Sequence, residues 1–248
     1  MPNPHIRTPK PPAFLDQVPR AVVRALDIQQ VMATALTCMG SQAWVGVVVA
    51  LHEIDSYCGA ARRQQRRIAT AEGSIRRWIL RRAGAPPLRT LFSDAHFYLI
   101  SWARVAKLAR FVSQSTRSTR VRLVLRKYHR DLEDRIDARN HLEHLEERFP
   151  GGQKHSKLAI PNDLLNMSAK YLTYGGGRLD IGPDSLRLLR SFRDEFLEAL
   201  LYDSLETVAN NDQRKFSVLL AMAAQRVHVA RATRKVREML EGRTQQSG

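Results

Sequence analysis

Along most of the chain, apolar residues recur three and four positions apart, the period of an α-helix, and the strict alternation of a strand is nearly absent. The pattern predicts an all-α protein: an antiparallel helical bundle with an N-terminal helical extension and one small β-hairpin. It divides into a flexible arm over 1–18, a basic helical extension over 19–89, a helical domain over 90–210 with the hairpin near 170–181, and a C-terminal helix and tail over 211–248.

Within this frame, turn and cap chemistry sets the expected boundaries. A helix starts near Pro19, since proline suits a first turn, and Gly40-Ser41 breaks it. The next helix runs from Trp44 through Val47, Val48 and Val49 and past Tyr57 to Arg67. Gly73-Ser74 punctuates again, with Ser74 capping a short helix that ends at Arg82, and Gly84 to Pro87 is a connection. Ser93-Asp94 opens a strongly periodic helix through His96, Phe97, Leu99, Ile100, Val105, Leu108, Phe111 and Val112, closed by the Ser/Thr run 113–119. One long helix is expected from Arg120 to Phe149, stopped by Pro150-Gly151-Gly152. Residues 151–169 read as a loop or lid. Lys170 to Ile181 carries two short alternating segments around Gly175, Gly176 and Gly177, a hairpin pattern. A phosphate cradle is the other use of three glycines, but no Lys-Ser or Lys-Thr follows and no helix starts there. Pro183 begins another helix to Ala209, and Asn210-Asn211-Asp212 separates it from a last helix to Leu240. The apolar positions Phe216, Leu219, Leu220, Ala223, Val227 and Val229 of that last helix require a partner surface.

Charge changes the picture more than composition does. The 248 residues include 40 Lys and Arg against 24 Asp and Glu, a net charge of +16, with 44% hydrophobic residues. That is too apolar for a disordered chain. The excess is concentrated: residues 61–127 hold seventeen basic and two acidic side chains. Such a field attracts a polyanion, whether RNA, DNA or an anionic membrane face. Arg62, Arg63, Arg66, Arg67, Arg76, Arg77, Arg81 and Arg82 are the candidate phosphate-tracking side chains. Trp78 between them either stacks on a base or anchors a short amphipathic helix. Arg-rich helices without any ligand remain the plainer alternative.

Two cysteines, Cys38 and Cys58, make neither a disulfide framework nor a four-cysteine zinc site. They suit a reducing, cytoplasmic setting, and both are assigned to packing. The proline-rich start has no apolar core and does not read as a secretory signal. Val31 to Leu51 is 21 residues without a charge, long enough to cross a bilayer. Two readings follow, a buried pair of core helices diluted by Thr34, Thr37, Ser41 and Gln42, or a span of a membrane-associated effector.

The informative chemistry lies at the end of the helix expected over 120–149. With Ile136 set to zero, Val121, Leu125, Tyr128, Leu132 and Ile136 form one apolar stripe. Carried forward, the stripe is inherited by Arg139, Asn140 and Glu143, with His144 beside them, while Ala138, Leu142, Leu145 and Phe149 move round the helix. Ionisable groups on a core-facing stripe are either paired or line a wet cleft. An Arg139–Glu143 surface ion pair on a helix end in solvent fits the pattern equally well.

Arg139, Asn140 and His144 resemble the signature of the HEPN superfamily, an Arg followed by a polar residue and, after four to six intervening positions, a His. The resemblance covers about residues 90–210, and the hairpin at 170–181 departs from it. It implies a metal-independent endoribonuclease without a cofactor, acting on RNA as a homodimer with facing motifs. A toxin or defence effector with an antitoxin or other regulatory partner would fit. Arg139 would fork onto phosphate oxygens, His144 would move a proton at the ribose 2′-hydroxyl or the leaving oxygen, and Asn140 would orient the imidazole or bind phosphate. His141, Glu143 and His96 are possible supporting groups; His129 is expected to be solvated. No His/Asp/Glu set has convincing metal spacing, since His141 and His144 lack a third ligand. The competing readings are a non-catalytic nucleic-acid-binding or adaptor protein, and the membrane-associated effector with a span at 31–51.

Overall fold

A computed structural model describes residues 20–38, 44–81, 88–143, 170–174 and 177–245, together with residues 13, 18 and 168. Among these the fold is all-α with one small hairpin. The helices are α1 (Arg20–Arg24), α2 (Ile28–Cys38), α3 (Trp44–Arg81), α4 (Leu88–Thr116), α5 (Thr119–Lys127) and α6 (His129–Glu143). The antiparallel strands β1 (Tyr171–Tyr174) and β2 (Gly177–Asp180) follow, then α7 (Pro183–Asn211) and α8 (Gln213–Gln245).

Antiparallel packing follows from contacts at both ends of each pair. On α3 and α4, Gly46 lies against the Phe111 ring near one end, where an added Cβ would come 3.3 Å from Cζ. Further along, the Arg67 Nε reaches the buried carboxylate of Asp94 at 3.0 Å. On the other flank of α4 runs α6, tied by Arg110 to Glu133 and by His96 to Glu143. Polar clamps at both of its ends hold α5 to α7. At one end Ser118 caps α5 through the Val121 amide and donates to Asp203 at 2.5 Å, while Arg120 pairs with Asp203 and Glu206. At the other, Lys127 pairs with Glu195 at 2.7 Å and the Tyr128 hydroxyl donates to the same carboxylate at 2.8 Å. The main core gathers Leu36, Ile54, Ile68, Leu99, Trp102, Tyr128, Phe192 and Phe196. A second cluster joins Val31, Leu205, Val208, Phe216 and Leu219, which gives the first part of α8 the partner surface expected for it, whereas Val229 further along is exposed.

Several sequence expectations shift. Gly73-Ser74 does not end a helix: α3 is continuous over 38 residues. A glycine costs a helix only about 1 kcal/mol, and buried Ile68 and Ala71 beside it outweigh that. The Ser74 hydroxyl donates back to the Thr70 carbonyl instead of capping. The α4 helix begins at Leu88, ahead of Ser93-Asp94, because Asp94 is used as a buried partner for Arg67 and not as a cap. The continuous helix expected over 120–149 is divided at Tyr128, where α5 gives way to α6. Buried residues of α3 share the main core with α4, α6 and α7. Among the described residues no helix is long and apolar enough to cross a membrane. The uncharged stretch 31–51 divides between α2 and the start of α3, and its Val31, Met32, Leu36, Val47, Ala50 and Leu51 are buried against protein. The hairpin, the Pro183 start and the break at Asp212 stand as expected, with Asp212 accepting from the Lys215 amide at 2.9 Å. Residues 1–12, the 151–167 loop and the glycine pair 175–176 lie outside the described residues.

At the centre of the bundle is a charge that the apolar pattern did not foretell. Arg135 is 4% exposed. Its guanidinium lies over the Trp102 ring, 4.1 Å from the centroid. It donates to the Asp131 carbonyl at 2.8 Å and to the Ser185 hydroxyl at 3.1 Å, and the Tyr98 hydroxyl donates to the same Ser185 oxygen at 2.8 Å. Burial pulls the Arg135 pKa below its ordinary value, opposed by the charge of the neighbouring Asp131 carboxylate. Ser185→Ala leaves three buried donors, the Tyr98 hydroxyl and the Arg135 Nε and Nη2, without their acceptor and is expected to destabilise the fold by about 2–3 kcal/mol. The check is a lower urea midpoint at unchanged slope, and a midpoint equal to that of the unaltered chain would show that the network is not held through Ser185.

Candidate functional site

The backbone hydrogen bonds run on through Tyr128, from its amide to Val124 and from Leu132 to its carbonyl, so α6 keeps the buried face of α5. Tyr128, Asp131, Leu132, Arg135 and Ala138 are buried, which places the core-facing centre between Asp131 and Leu132. Carried forward at about 100° per residue, that face reaches Arg139 and, at its edge, Glu143, while Asn140 lies further round. The core face is not surrendered as expected: Ala138 is buried and Leu142 packs on the main core, so Arg139 and Glu143 join that stripe at its margin and do not replace it. Ile136, expected on the stripe, is only half-buried.

Arg139 is 20% exposed and Glu143 31%. They form an ion pair, one turn apart, through the Arg139 Nη2 and the Glu143 Oε2. From α4, His96 approaches the same carboxylate, with its Nε2 3.7 Å from the Glu143 Oε1. That distance is too long for a hydrogen bond and leaves a purely Coulombic contact. Glu143 is therefore bracketed between two cationic or potentially cationic groups, and the hydrogen bond from Arg139 holds its carboxyl below the usual carboxylate range. Two buried nitrogens here have no hydrogen-bond partner, the Arg139 Nε and the His96 Nε2. Both atoms are closed to solvent as the side chains stand.

The structure brings together Arg139, Glu143 and His96, with half-buried Asn140 on the same helix end. His144 and Arg82 lie outside the described residues, as do the side chains of His141 and Arg76. His129 is exposed and pairs with Glu133 at 3.6 Å. No protein-family model, curated protein or solved structure matches this chain. Cys58 is not a nucleophile candidate, because burial, opposed by the nearby Arg193, pushes its thiol up to about 12. Among the described residues no three His, Cys, Asp or Glu side chains gather closely enough to hold a metal ion.

The arginines singled out for phosphate contact stand on α3. Arg62, Arg63, Arg66, Arg67, Arg77 and Arg81 are all exposed, whereas Trp78 is half-buried and engaged. Arg67 is fixed by Asp94, and Arg77 donates to the Ser74 hydroxyl at 3.2 Å. Asp94 and His96 project to opposite flanks of α4, so the arginine half of α3 and the end of α6 border the same third of that helix. The residues that sequence reasoning missed are Asp131, Arg135, Tyr98 and Ser185. The four-residue step Asp131, Arg135, Arg139, Glu143 was the one available signal, an ionic ladder running from the core to the surface along one face.

A carboxyl depressed by Arg139 contributes stability above its unfolded pKa and loses it as pH falls through the folded value. The expected outcome is that a carbon-detected NMR titration places the Glu143 midpoint below 4.5, the ordinary value, and that Arg139→Ala moves it back up. An unmoved midpoint would mean that Arg139 does not hold the carboxylate.

Proposed function

We propose that this chain is a metal-independent endoribonuclease of HEPN type, acting on RNA in the cytoplasm as a homodimer, with Arg139 and His144 as its catalytic residues and Asn140 in support. The observation that carries the reading is the Arg139 guanidinium, largely buried at the end of α6 with an unpartnered Nε, beside His96 of the facing helix. Burying a permanent charge with a donor left over is costly unless an anion completes it. In this reading the ribose 2′-hydroxyl attacks the adjacent phosphorus. A 2′,3′-cyclic phosphate forms, and the bond to the 5′-oxygen breaks. Arg139 neutralises charge growing on the non-bridging oxygens. One imidazole takes the 2′-hydroxyl proton and another returns a proton to the leaving 5′-oxygen. A single chain supplies one motif histidine, so the second comes from a second copy whose motif faces the first.

Glu143 favours a second reading, in which the chain binds nucleic acid without cleaving it. A carboxylate already paired with Arg139 competes with phosphate for the same guanidinium. Cleavage assays separate the two. Under the nuclease reading, Arg139→Ala and His144→Ala each lower RNA cleavage by about 10²–10⁴-fold with unchanged helical circular dichroism. Purified protein that retards RNA in salt-dependent fashion but yields no cleavage products, or variants that cut at the rate of the unaltered chain, would establish the binding reading instead.

A further inference from the structure

The arginine face of α3 is built differently from an ordinary solvated helix. Between Arg62 and Arg81 the helix carries one carboxylate, Glu72, which lies about 150° away from the centre of the arginine face. Arg62, Arg63, Arg66 and Arg81 have no carboxylate partner among the described residues. The arginines fall into two groups, 62–67 and 77–81, whose centres are about 22 Å apart along the axis. Between the groups the outward positions are small: Ala69, Thr70, Gly73 and Ser74. Nothing crowds Gly73, where an added Cβ would meet no atom within 4 Å.

We infer that this face docks double-stranded RNA, with the two arginine groups on the phosphates of opposite strands and the small residues against the minor groove between them. Three features select this partner. Single-strand platforms stack bases on aromatic side chains, and the one aromatic among these arginines, Trp78, is half-buried and already engaged. A B-form major groove is read by a helix that enters some 8.5 Å deep. With α4 packed along its flank through Arg67 and Asp94 and its Ile68 face in the core, α3 cannot sink that far. The wide, shallow minor groove of A-form RNA requires no such entry and is lined by 2′-hydroxyls. The Thr70 hydroxyl, which donates to the Arg66 carbonyl at 3.0 Å, keeps lone pairs to accept from them. An anionic bilayer is a poorer fit, because a surface-lying helix needs an apolar face and the apolar face of α3 is already inside the protein.

The inference does not depend on cleavage. Binding is read by fluorescence anisotropy with the full chain and with the His144→Ala chain, using an RNA duplex of about 20 base pairs, the same sequence as DNA duplex and as single-stranded RNA, and phosphatidylserine vesicles. The RNA duplex is expected to bind tightest. With four phosphate contacts its affinity falls on the order of a hundredfold between 50 and 200 mM salt. The pairs Arg62→Gln/Arg66→Gln and Arg77→Gln/Arg81→Gln are each expected to weaken binding at least tenfold and to lower the salt slope by about 2. Preference for the DNA duplex, the single strand or the vesicles would overturn the proposal, as would either pair binding like the unaltered chain while its circular dichroism matches. Loss of cleavage in His144→Ala with duplex binding retained tells the two sites apart.

Discussion

The bundle is organised around one buried cation. Arg135 comes from α6, the ring it covers and the Tyr98 hydroxyl that shares its acceptor come from α4, and that acceptor, Ser185, comes from the first turn of α7. An uncompensated guanidinium in such a place would cost several kcal/mol. Its geometry is therefore strict, since Trp102 must offer its face and Ser185 its oxygen at once. That requirement fixes how α6 is rotated. Once Arg135 points inward, Arg139, one turn on, lies at the margin of the core, and Glu143, another turn on, reaches the surface beside His96.

The gradient along α6 gives the candidate site its character. Asp131 and Arg135 are closed within protein, Arg139 keeps one donor unspent, and Glu143 is open enough to exchange partners. The carboxylate is the anion that neutralises the Arg139 guanidinium. Its lowered pKa has the same origin, the hydrogen bond from Arg139 that favours the ionised form.

The fold places its charges on separate surfaces. Basic side chains on the inner elements are matched, Arg120 by Asp203 and Glu206, Lys127 by Glu195, Arg193 by Asp55. Those on the outward face of α3 are largely unmatched. Repulsion among them is tolerable because the face is fully solvated and the helix is anchored by the apolar side opposite. Concentrated charge on a rigid, well-supported helix makes a better electrostatic platform than the same charge on a loop, since no ordering cost is incurred on binding.

How much of this was legible in the residues depends on the range of the forces involved. The all-α class, the hairpin around Gly175 to Gly177, the start at Pro183 and the end at Asp212 follow from periodicity, glycine and proline, which act over a few positions and need no partner. The exposed arginine face follows from spacing alone, because solvent is the default environment of a charge. The continuity of α3 through Gly73, the division at Tyr128 and the inward turn of Arg135 could not be read this way. Each is decided by distant groups: Tyr128 by Glu195, sixty-seven positions on, and Arg135 by Ser185, fifty positions on. A buried charge looks in sequence like any other charge, and only the acceptors assembled around it by the tertiary fold make the interior its lowest-energy place.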